Sequence, residues 1–178
     1  MNKLIFTIIS IFLISSCHND VFFDNPQPQS SKELIDIPKN LIGDWISDGM
    51  QSKKELYISN DHIKIDNNKY TLDSNLILLK NMHGLFVNLK NDTLGWNCYN
   101  IKYNDSLLTV YSIIGIDMER PPNQFNGEIV KGAEKSFYDM AKYEYTFIDS
   151  NNILIHNIDL INLHRIFNYE NTASFKRK

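Results

Sequence analysis

Tyr99-Asn100-Ile101-Lys102-Tyr103-Asn104-Asp105-Ser106-Leu107-Leu108-Thr109-Val110-Tyr111 decides the fold class. Tyr99, Ile101 and Tyr103 alternate with polar residues. After Asn104-Asp105 the alternation resumes through Leu107, Thr109 and Tyr111. Period-two alternation puts successive side chains on opposite faces of a strand, and a short Asn/Asp break between two such runs is the signature of an antiparallel hairpin.

The same pattern recurs on both sides. Leu56 and Ile58 lead through Asn60-Asp61 to Ile63 and Ile65. Tyr70 and Leu72 lead through Asp73-Ser74-Asn75 to Leu76 and Leu78. Phe86, Val87 and Leu89 lead through Lys90-Asn91-Asp92 to Leu94 and Trp96. Tyr145 and Phe147 lead through residues 149–152 to Ile153 and Ile155. Eight to ten short strands in sequence order predict a mostly β protein, an antiparallel meander closing into a barrel or a β-sandwich. Composition agrees: 24 Ile favour strands and 22 Asn favour turns, in a chain of 178 residues. Hydrophobic content of 43% supports a packed core, and the net charge of −3 gives no electrostatic footprint for nucleic acid. One stretch breaks the pattern. Residues 115–126 read as a loop with paired prolines, and Val130, Ala133, Phe137, Met140 and Ala141 fall at helical spacing, which predicts one amphipathic helix over 127–142.

The N-terminus carries a different signal. Lys3 precedes an uncharged apolar run from Leu4 to Ile14, too short to span a bilayer as a helix. Ile14-Ser15-Ser16-Cys17 then resembles a bacterial lipobox, an aliphatic residue and two small residues before a cysteine. That resemblance implies a signal peptide over residues 1–16 and a diacylglyceryl group on Cys17. The protein would then be anchored to the cell membrane by lipid. With His18 rather than an acidic residue after the cysteine, the outer membrane facing the periplasm is the expected location. Residues 17–31, polar with two prolines, read as the lipidated cysteine and a flexible tether. Ser31 to Ile35 reads as a one-turn helix with a serine cap.

Gly43-Asp44-Trp45 resembles the Gly-x-Trp signature of the lipocalin superfamily, and Ile161 to Ile166 resembles its last strand. The closest likeness is to small lipocalin-like lipoproteins of Bacteroidota. It implies a β domain over residues 32–170 whose barrel is closed by Gly43, Trp45 and Arg165, with Arg165 stacked on Trp45. Residues 171–178 read as a disordered basic tail.

Little chemistry stands out. The five histidines have no metal-ligand spacing, and neither a nucleophile motif nor a phosphate-binding loop occurs. Asp117 and Glu119 read as solvated loop charges. His156 and His164 sit where a hairpin could bring them together. Cys98 reads as a small buried hydrophobe. No catalytic residues, metal or cofactor are expected. The aromatic strands supply candidate ligand-binding residues: Phe86, Trp96, Tyr99 and Tyr111. The expected function is non-enzymatic binding of a small apolar ligand. The alternative is an interaction module such as an inhibitor or immunity lipoprotein, using Met118 to Phe125 as its contact edge. Asp92-Thr93-Leu94 and Asp105-Ser106-Leu107 also resemble the Bacteroidota O-glycosylation motif.

Overall fold

The computed structural model describes residues 20–48, 54–113, 130–133, 142–149 and 152–178. Its backbone is mostly β, an antiparallel sheet curled into a half-barrel. Strands β3 (Gly43–Asp48), β4 (Glu55–Ile58), β5 (His62–Ile65) and β6 (Asn68–Thr71) follow one another as neighbours. So do β7 (Leu76–Asn81), β8 (Gly84–Asn91), β9 (Gly95–Tyr103) and β10 (Leu107–Ile113). The last strand, β14 (Phe167–Arg177), joins the two groups by pairing with β10 on one side and β3 on the other.

The expected hairpins across residues 60–61, 90–92, 104–105 and 149–152 all form ladders. The one across Asp73 to Asn75 does not. There Asp73 takes a positive φ, Asn75 caps Thr71 through its side chain, and Leu72, just past β6, forms a single isolated bridge to Leu76. The free edge of β7 is instead covered by β2 (Lys32–Glu33), whose direction is continued by Leu34 N–H donating to the Leu78 carbonyl. The helical turn expected over Ser31 to Ile35 is therefore an edge strand.

Two cores result, one on each face of β7–β8–β9. Alternation assigns the side chains. Leu85, Val87, Leu89 and Ile101 face the concave side, where they pack with Leu41, Trp45, Leu56, Ile58, Ile63, Leu108 and Phe175. Leu79, Phe86, Trp96 and Cys98 face the convex side. That side is covered by a second layer: β11 (Val130–Ala133), β12 (Lys142–Phe147), β13 (Asn152–Ile158) and β1 (Asp20–Phe23), in that order. β1 runs parallel to β13, the one parallel pairing among the named strands, and touches β9 at Phe23–Trp96. The helix α1 (Leu160–Ile166) closes this layer with Leu163 and Ile166.

Three expectations are corrected here. Residues 20–31 are not a free tether: Val21, Phe22 and Phe23 are buried, and Gln27 is locked to the convex face. Residues 171–177 are not a loose tail but the end of β14. Of the expected helix over 127–142, Val130–Ala133 and Lys142 are in strands and residues 127–129 and 134–141 lie outside the described residues, while a helix is found at Leu160–Ile166. The helix begins where Asp159 caps it by accepting from Asn162 N–H at 2.8 Å.

Candidate ligand cavity and its closed end

The floor of the half-barrel is built on Trp45. Its ring is fully buried, and its indole Nε1–H donates to the Leu41 carbonyl at 2.9 Å. A short 3-10 turn, Lys39–Leu41, brings that carbonyl beneath the ring. The cation over the ring is Arg177, with its guanidinium carbon 4.5 Å from the ring centroid. Arg177 spends its fork on backbone carbonyls: Nε–H to Asp105 at 2.8 Å, Nη1 to Ile42 at 2.7 Å and Nη2 to Asn40 at 2.6 Å. Strand β14, the 3-10 turn and the β9–β10 turn are thereby tied at one point. Gly43 makes room for it. Its φ is +140°, and a Cβ there would sit 2.8 Å from Arg177 Nη1.

Arg165 does not take this role. It lies on α1, against the second layer, and donates to Asn162 Oδ1 at 3.2 Å. Its segment is helical because Asp159 caps a run with Leu163 and Ile166 at helical spacing. The signal for Arg177 was present in the sequence: Phe175 and Arg177 continue the alternation to the C-terminus.

On the concave face is an apolar cavity of about 210 Å³, lined by neither Trp45 nor Arg177. Ile58, Ile63, Val87, Ile101, Leu108 and Phe175 line it, with Tyr99 on the wall and Lys54 and Glu55 at its rim. Of the four aromatic residues expected to line a ligand site, only Tyr99 does so. Burial pushes its hydroxyl pKa up, so it stays a proton donor at neutral pH. Phe86 and Trp96 belong to the convex core, and Tyr111 packs against that core with the Lys102 ammonium 5.3 Å from its ring. The reason is parity. In the β8–β9 ladder, Lys90–Trp96 and Phe86–Asn100 share one face, while Val87–Tyr99 and Leu85–Ile101 share the other.

Other polar groups are engaged structurally. Ser59 Oγ and Asp61 Oδ1 both meet His62 Nδ1, at 2.7 and 2.8 Å. A proton relay needs its serine and its carboxylate on opposite ring nitrogens, so this trio serves the β4–β5 turn. His156 contacts Asp24 and Thr146 rather than His164, whose ring packs 4.5 Å from that of His83. The Cys98 thiol is buried against the Gln27 carbonyl, and burial pushes its pKa up, away from thiolate chemistry. Thr93 and Ser106 sit exposed in matching turns, each hydroxyl donating to the asparagine two residues earlier, Asn91 and Asn104. Among the described residues no group of three His, Cys, Asp or Glu is placed to hold a metal. Cys17, Asp117, Glu119 and the Met118 to Phe125 loop lie outside the described residues.

Comparison with known proteins gave no match to any protein family, curated protein or solved structure.

Proposed function

We propose that this protein is a lipid-anchored envelope lipoprotein that binds a small apolar ligand, without catalysis, inside a lipocalin-like half-barrel. The observation that carries the binding reading is the 210 Å³ cavity, whose walls are mostly aliphatic side chains with Phe175 and Tyr99. Concave apolar sites with a few polar groups are where small ligands bind, although this one is smaller than most. The anchoring reading rests on Lys3, the apolar run Leu4 to Ile14 and the lipobox-like Ile14 to Cys17. Acyl chains at about 0.8 kcal/mol per buried CH₂ would hold such a chain firmly on the bilayer.

The test of binding uses the chain from residue 17 onward carrying Cys17→Ser. Trp45 belongs to the same concave core as the cavity's lining residues and Trp96 to the opposite face. Ligand entry from a panel of apolar molecules is expected to alter a fluorescence signal that survives Trp96→Phe. Ala173 lines the cavity, and Ala173→Phe, which fills it, is expected to abolish the response. A folded protein that responds to nothing in the panel would overturn the binding reading and leave the interaction module as the alternative.

A further inference from the structure

The cavity has a chemical polarity that narrows its ligand, given the binding reading above. Lys54, Leu56 and Ile58 have the same parity and all line the cavity. Lys54 thus stands at the rim on the same face as the apolar wall. Its neighbour Glu55 is occupied: the carboxylate accepts from Lys178 Nζ at 2.8 Å. That pair neutralises itself, which leaves the Lys54 ammonium as the uncompensated charge of the rim, with no carboxylate partner among the described residues. Tyr99 brings a hydroxyl to a wall that is otherwise apolar inside the rim.

Size sets the second constraint. A dry cavity of about 150 Å³ accepts benzene, so about 210 Å³ takes on the order of eight to ten carbon atoms. Sixteen carbons exceed that volume.

We propose that the cavity takes a medium-chain anionic amphiphile, with its alkyl chain of about eight to ten carbons against Val87, Ile101 and Leu108 and its carboxylate at Lys54. The volume of the cavity makes this a length filter, and the lysine at its rim makes it a head-group filter. A rim charge partly open to water contributes modestly to affinity, so the head-group effect is expected to be several-fold rather than absolute.

The experiment is calorimetric titration of the Cys17→Ser chain from residue 17 onward with octanoate, decanoate, octanol and palmitate, below their aggregation concentrations. Octanoate or decanoate is expected to bind at least tenfold more tightly than palmitate, and octanoate several-fold more tightly than octanol. Lys54→Gln is expected to erase the octanoate–octanol difference and leave octanol unchanged. Tightest binding by palmitate would overturn the length filter. Equal binding of octanoate and octanol, or a difference that persists in Lys54→Gln, would overturn the head-group assignment while the binding reading stands. Binding of none of the four overturns both.

Discussion

Arg177 is the residue on which the closed end turns, and its surroundings state what its loss costs. It stacks on Trp45 and satisfies the carbonyls of Asn40, Ile42 and Asp105. Trp45→Ala removes a fully buried indole and is expected to cost about 3–5 kcal/mol. Arg177→Ala is expected to destabilise as well, and the two together by less than their sum, because contacting residues couple by about 0.5–3 kcal/mol. Arg165→Ala should show no such coupling with Trp45. Gly43→Ala should act on the same point through strain and through its clash with Arg177. Urea melts of the single and double variants decide this, and strict additivity for Trp45 and Arg177 would remove the contact. His164 supplies a second residue-scale expectation. Burial, then the adjacent His83, hold its pKa below the usual imidazole range. The unfolded chain therefore takes up a proton on this residue more readily than the folded one. Stability from this source is present above the unfolded value, near pH 6.5, and is lost as the pH falls through the folded one. His164→Phe is expected to flatten the fall in melting temperature between pH 7 and pH 5.

At the scale of elements, β1 and the segment after it show why a polar, proline-bearing stretch belongs to the fold. Asn88 is fully buried on the convex face of β8, and its side chain imitates a strand edge. Its Oδ1 accepts from Gln27 N–H at 2.7 Å, and its Nδ2 donates to the Gln27 carbonyl at 2.9 Å. Gly95, with φ +109°, lets the Phe23 carbonyl approach to where a Cβ would sit 2.5 Å away. Asn88→Ala leaves two backbone groups of Gln27 without these partners and is expected to cost about 1–3 kcal/mol. Gly95→Ala should push β1 from its seat. Faster hydrogen exchange or proteolysis confined to residues 20–28 is the expected readout, and unchanged protection there would overturn the assignment. The sequence displayed the apolar trio Val21 to Phe23 but not its partner, since pairing with β13 spans over 120 residues and leaves no local trace. Hairpins were legible because turn and strands are contiguous. The expected helix was overextended for a related reason: the period over 127–142 is helical, yet Val130 to Ala133 pair with β12, and pairing overrides period. The cavity walls were half legible. Alternation separates the two faces of β8 and β9, but both faces are apolar because both are covered, so composition could not tell Phe86 and Trp96 from Tyr99.

The whole molecule is a two-cored body in which β7–β8–β9 serve as the shared middle layer. Each core borrows alternate residues of the same three strands. Loss of either covering therefore exposes one apolar face of a layer that the other core still needs, and the two cores should unfold together. Nature has placed one tryptophan in each: Trp45 in the concave core and Trp96 in the convex one. This permits a direct test. In Trp96→Phe the remaining fluorescence reports the concave core. In Trp45→Phe it reports the convex core. Far-UV circular dichroism reports the sheet in both. Within each variant, fluorescence and dichroism are expected to share one midpoint and one slope in urea, even where the substitution itself lowers stability. A Trp45 transition separate from the dichroic one would mean that the half-barrel melts independently of the layer on its back. Coincidence in both variants fits a sheet whose two faces are held by a single cooperative unit. That unit is also what keeps the cavity's walls in place: Val87 and Ile101 line the cavity from strands whose other faces carry Phe86 and Asn100. Ligand bound in the concave core should then raise the midpoint seen by Trp96 as much as the one seen by dichroism, since whatever binds only the folded state stabilises all of it.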